Sequence, residues 1–83
     1  MEKLESLKEA RQKVVGSKQT FRALEKEEAR MVFVAHDADA KVVEPIIRQC
    51  QEKDVEWDYA GSMAELGKMC GIKVGAASAA LLK

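Results

Sequence analysis

The chain has 83 residues, room for one small domain and one core. Apolar residues make up 47% and charged residues 34%, a globular rather than a disordered balance, and no apolar run reaches the roughly 18 residues of a membrane span. Fourteen Lys and Arg meet fourteen Asp and Glu, which excludes a uniformly basic nucleic-acid coat and leaves any such role to a local patch.

Residues 2–13 are predicted to form a helix, with Leu4, Leu7 and Ala10 at helical spacing and Val14 one turn later. The charge-alternating start holds no apolar export core, and Cys50 and Cys70 stand alone, so a reducing cytoplasm is expected. Val14-Val15 reads as a very short strand ending in a turn at Gly16. Ser17 is expected to cap a second helix running to about Glu28, with Thr20, Phe21 and Leu24 inward. Met31-Val32-Phe33-Val34-Ala35 is a continuous apolar run and reads as a buried strand. Ala40 to Lys53 is helical in pattern, and Pro45 splits it into one turn over residues 40–43 and a helix with the proline near its first position, with Ile46, Ile47 and Cys50 as the inner stripe. Val55-Glu56-Trp57-Asp58-Tyr59 alternates and reads as a half-exposed strand. Ser62 and Glu65 have capping-box spacing and open a helix that passes Leu66, Met69 and Cys70 and stops at Gly71. Residues 72–75 form a loop, and Ala76 to Leu82 a last strand of small residues. Helices alternating with strands predict a three-layer α/β/α sandwich, one mixed sheet of about four strands in a single domain over residues 1–83.

Little in this pattern points to catalysis. His36 is the only histidine, and with Asp37 and Asp39 it falls short of the three or four placed ligands of a metal site; the reading is a strand end followed by helix caps. Cys70 lies at a helix C-terminus, where the dipole disfavours a thiolate, and Cys50 lies on an inner stripe, so both read as core thiols. Neither a phosphate-binding glycine loop of Walker type nor a G-x-S-x-G elbow occurs. No catalytic residue, metal or cofactor is expected.

Two segments carry a binding pattern. Gly16-Ser17-Lys18-Gln19-Thr20-Phe21-Arg22 puts long polar side chains at a helix N-terminus, where backbone N–H groups favour a phosphate. Lys18 and Arg22 share a helix face, and Gln19 can offer a donor and an acceptor to a base edge. The same residues also suit an ordinary capped surface helix. Gly71-Ile72-Lys73-Val74-Gly75 places two apolar residues around a lysine in a glycine-bounded loop, with Lys68 one turn earlier. Ile72 and Val74 either form a contact surface or fold inward.

Three blocks in order carry a resemblance: Gly16-Ser17-Lys18-Gln19-x-x-Arg22, Ala35-x-Asp37-Ala38-Asp39, and Ser62-x-x-x-Leu66-Gly67-Lys68-x-Cys70-Gly71-Ile72-x-Val74. Over about residues 4–82 the chain resembles the large-subunit ribosomal protein family of the L7Ae and L30e type, and in particular its short bacterial members. The resemblance implies an α/β/α sandwich that binds structured RNA with a kink-turn, a duplex bent at a bulge beside tandem sheared G·A pairs. It implies that Lys18 and Gln19 meet the guanines of those pairs and that Gly16, Ser17 and Arg22 contact the RNA too. Lys18 and Gln19 stand here where the family usually has Asn and Glu, and Arg22 keeps its cation. By the same likeness Asp39 lies beside the bulge, Lys68 is a basic contact, and Ile72, Lys73 and Val74 cradle extruded nucleotides. Met63 replaces a lysine common in the family, and Ala40 the proline that usually follows the acid.

Bulges suit RNA recognition because their bases are splayed out, whereas the A-form major groove is too narrow to read. Lys13, Lys18, Arg22, Lys68 and Lys73 are expected to gather positive charge on one side of the balanced chain. The expected function is a non-enzymatic, monomeric kink-turn binder in the cytoplasm, on the ribosome or on a regulatory RNA, with no membrane partner. The alternative is a protein-interaction module on the same fold.

Overall fold

The computed structural model of the protein describes residues 12–83. The helix read over residues 2–13 lies outside them except at its end, where Gln12 is a bend and Lys13 already opens a strand. The described elements are β1 (Lys13–Val15), α1 (Ser17–Glu25), β2 (Ala29–Val34), α2 (Ala40–Glu52), β3 (Glu56–Tyr59), α3 (Met63–Met69) and β4 (Ser78–Leu82). The strands form one mixed sheet in the order β1-β4-β2-β3. β4 runs antiparallel to both β1 and β2, and β3 runs parallel to β2.

The apolar run of β2 is continuous because the strand is central and covered on both faces. Met31 and Phe33 point to one face, where Ala79 and Leu81 of β4 join Leu66 of α3 and Cys70 at its C-cap. Val32 and Val34 point to the other, where Ala80 meets Ala23 and Leu24 of α1 and Val43, Ile46 and Cys50 of α2. Each large side chain so buried contributes about 1.5–3 kcal/mol relative to exposure. Thr20 and Leu24 are buried as expected and Phe21 is half-buried. The result is the expected three-layer α/β/α sandwich.

Three local readings are corrected. The turn and helix expected around Pro45 are one continuous helix. Asp39 caps it by accepting from the Lys41 N–H at 2.9 Å, and Pro45 is its sixth residue. The carbonyl left without a helical donor is that of Lys41, on an exposed residue where water can serve it. The second helix ends at Glu25, not Glu28, because Glu27 takes a left-handed φ of 58° and reverses the chain. Ser17 does not cap α1: the N-cap is Gly16 at φ 101°, ψ 151°, and no side chain serves it. A side chain is strained at that φ, which is why glycine makes the turn.

α3 has the expected capping box. Ser62 Oγ accepts from the Glu65 N–H at 3.1 Å, and Glu65 Oε1 accepts from the Ser62 N–H at 2.8 Å. Those bonds to Ser62, backbone first, hold the Glu65 carboxyl below the usual carboxylate range, with a smaller pull from His36. A carboxyl depressed in the folded state stabilises fully above its unfolded value and loses that contribution as pH falls through the folded one. Glu65→Gln keeps the box but cannot titrate. It is therefore expected to flatten part of the stability loss on acidification below about pH 5, read by urea unfolding across pH. An acid slope identical to wild type would refute this.

Candidate nucleic-acid interface

The C-terminal ends of β1, β2 and β3 and the N-terminal end of β4 lie at the same end of the sheet, as the pairing directions require. All three sequence blocks therefore meet there. Hydrogen bonds stitch the loops together: the Gly16 N–H donates to the Ser78 carbonyl at 2.8 Å, Ala35 to Ala77 at 2.8 Å, and His36 to Gly61 at 2.9 Å. The Ser78 hydroxyl, fully buried, donates to the Ser17 hydroxyl at 3.4 Å. Ser17 is thus turned toward β4, away from the N–H groups it was expected to cap.

The three described helices present their N-termini to this end in different states. Asp39 serves α2, and Ser62 with Glu65 serves α3. Among the described residues, no side chain caps α1, and its first turn holds no acid. The positive end of its dipole lies beside Lys18 and Gln19, with Arg22 one turn on, all three side chains exposed. Between α1 and α2, next to Lys18, lies a shallow apolar hollow of about 340 Å³ floored by Phe21, Val42 and Ile46.

The last loop doubles back along α3. The Ile72 N–H donates to the Gly67 carbonyl at 3.0 Å, and the Ala76 N–H to the Met63 carbonyl at 3.0 Å. The loop lies so close that a Cβ on Gly67 would run into the Val74 carbonyl oxygen. With its backbone pinned there, the loop holds Ile72 36% and Val74 70% exposed. The choice left by the sequence is settled: these side chains face outward, with Lys73 exposed between them.

Other expected residues are placed differently. Asp39 stands at the shared end, but its carboxylate is engaged as the cap of α2. Lys68 is exposed in the last turn of α3, farther from the sheet end than Met63. Lys13 does not join the basic group: it opens β1 at the opposite end and borders a hollow there with Glu27, Glu28 and Lys83. Burial pushes the Cys50 thiol up to about 11 and raises that of Cys70 too, so neither is a thiolate at neutral pH. Among the described residues, no group of three or more His, Cys, Asp or Glu could hold a metal, and no helix is long and apolar enough to cross a membrane.

Two residues of the quoted blocks have roles the sequence did not assign. Gly67 admits the loop against α3, and Asp37, expected with Asp39 to cap the helix that follows, instead reaches across the sheet end to accept from the Met63 N–H at 2.8 Å. Glycine within a helix hints at a close approach. Nothing in the sequence signals a bond between residues 26 positions apart.

Fold and site together define a class: a small α/β/α sandwich that gathers its three sequence blocks at one end of its sheet. The chain belongs to the ribosomal protein L7Ae/L30e/S12e/Gadd45 family, whose model matches residues 1–83. An RNA-binding protein of Halalkalibacterium halodurans is 44% identical over 79 residues, 95% of this chain and 96% of that one. The RNA-binding protein YbxF of Geobacillus stearothermophilus is 46% identical over 70 residues, 84% of this chain and 85% of that one. Among solved structures, the Giardia lamblia 15.5kD RNA binding protein superposes with a TM-score of 0.91 at 26% identity, over 99% of this chain and 72% of that one.

Proposed function

We propose that this protein binds RNA without catalysis, and that it recognises and stabilises a kink-turn in ribosomal or regulatory RNA. The observation that carries the reading is the uncapped N-terminus of α1, flanked by Lys18, Gln19 and Arg22. Backbone N–H groups without an internal acceptor suit the crowded phosphates of a sharp bend. Lysine and arginine suit guanine acceptors, and glutamine suits a base edge. The outward Ile72 and Val74 offer apolar surface to an extruded base. The names of the relatives support RNA as the ligand.

The protein acts as a cytoplasmic monomer in this reading, by population shift. A kink-turn exchanges between open and bent forms, and a protein that binds only the bent form draws the RNA into it.

The test is a titration at about 0.15 M salt, where distant surface charges are screened. One RNA carries a kink-turn; its control has equal length and charge, with both G·A pairs changed to Watson–Crick pairs. Binding at least about tenfold tighter to the kink-turn is expected, a difference of about 1.4 kcal/mol. Equal, weak binding to both would leave a protein-interaction role on an inherited fold.

A further inference from the structure

We propose that Asp37 is a positioning residue for the RNA-binding face, clamping the Ile72–Val74 loop through the first residue of α3. The inference rests on the kink-turn reading above.

The loop after β2 carries two acids with different work. Asp39 caps the helix that follows it, at the Lys41 N–H. Asp37 serves another helix altogether: its Oδ1 accepts the Met63 N–H at 2.8 Å. The capping box supplies acceptors for the N–H groups of Ser62 and Glu65, so Asp37 takes up a donor the box leaves over. The neighbouring His36 N–H donates to Gly61 at 2.9 Å and makes a second tie between the same two loops.

Met63 is also where the returning loop is fastened. Its carbonyl accepts from Ala76, and a Cβ on Gly75 would stand 3.3 Å from the Met63 Cβ. The chain of contact runs from Asp37 to Met63, to Gly75 and Ala76, and so to Val74 and Ile72. Fixing Met63 fixes the register in which the loop lies on α3. Ile72 and Val74 are then ordered before RNA arrives, and binding does not bear the cost of ordering them. The negative charge of Asp37 works against phosphate, so whatever it adds to RNA binding comes through geometry.

That opposition supplies the test. Asp37→Asn keeps an acceptor oxygen for the Met63 N–H and removes the charge, whereas Asp37→Ala removes both. Asp37→Ala is expected to weaken kink-turn binding by about fivefold to tenfold, mostly through faster dissociation. Asp37→Asn is expected to bind at least as tightly as wild type. Amide hydrogen exchange without RNA gives an independent readout: Met63 and Ala76 exchange faster in Asp37→Ala and at the wild-type rate in Asp37→Asn, while α1 is unchanged in both. The proposal is overturned if the two variants bind alike, or if Asp37→Ala leaves the Met63 and Ala76 amides unaltered. If the wild-type protein fails to tell the kink-turn from its control, the kink-turn reading falls and the RNA half of this inference with it. Unaltered amides in Asp37→Ala would overturn the clamp alone.

Discussion

Gly67→Ala is expected to destabilise the protein by about 2–3 kcal/mol, although alanine is the better helix residue by about 1 kcal/mol. The reason is overpacking. A Cβ at Gly67 meets the Val74 carbonyl oxygen and stands 3.1 Å from the Gly75 Cα and the Val74 carbonyl carbon. All of these are backbone atoms, which cannot rotate away as a side-chain tip can. The loop cannot simply lift off either, because the Gly67 carbonyl accepts the Ile72 N–H at 3.0 Å and the Cys70 N–H at 3.1 Å. Forcing one carbon into a packed contact costs about 1–3 kcal/mol or more, and here it also breaks the C-terminal turn of α3. Urea unfolding measures the effect, with the exposed Ala64→Gly in the same helix as the propensity control. Stability at or above wild type would mean that the loop yields freely, and would remove the basis for treating it as a preformed surface. The folded fraction of Gly67→Ala is also expected to bind kink-turn RNA more weakly, since its Ile72 and Val74 are displaced.

The helix ends show why part of this fold was legible and part was not. All three described helices close with the same motif, a left-handed residue whose successor donates back to a carbonyl five positions earlier: Glu28 to Ala23, Val55 to Cys50 and Ile72 to Gly67. Only α3 uses glycine for the left-handed residue; its end and that of α2, expected at Lys53 and found at Glu52, agree with the sequence to about a residue, and only the end of α1 departs from it. In α1 and α2 that residue is Glu27 or Asp54, at φ 58° and 60°, and side chains carry no such signal. Lys53 bridges to Glu27 at 3.7 Å, which ties the two irregular ends together. The split at Pro45 failed for a related reason. Its penalty depends on whether the orphaned carbonyl reaches water, and exposure is not written in the sequence. The central strand was legible because its apolar run records burial on both faces, whereas the alternation of β3 marks the strand but not its burial, since Tyr59 is 54% exposed. At the site, the residue types of α1 and the last loop were evident from their segments. That Ser17 turns toward Ser78, and that Lys13 sits at the far end of the sheet, follow only from strand pairing.

Lys18→Ala and Arg22→Ala are each expected to lose about 1–3 kcal/mol of kink-turn affinity, and the double variant more than either alone. Both side chains are exposed and lie outside the core, so the unfolding midpoint is expected to stay within the small range of surface substitutions. Their spacing places both on one face of α1, close enough to couple, and the double loss is expected to fall short of the sum. Salt dependence separates their roles. A side chain that neutralises a phosphate reduces the slope of log K against log salt by about one when it is removed, and weakens all RNAs alike. A side chain that reads a guanine edge leaves the slope nearly unchanged and narrows the gap between the kink-turn and its Watson–Crick control. Arg22, one turn inside α1, is expected to behave in the first way. Lys18, in the uncapped first turn beside Gln19, is expected to behave in the second. Gln19→Ala should then narrow the gap at constant slope, since glutamine has no charge to exchange for a counterion. Wild-type affinity in both single variants would move the RNA-binding face away from α1 altogether.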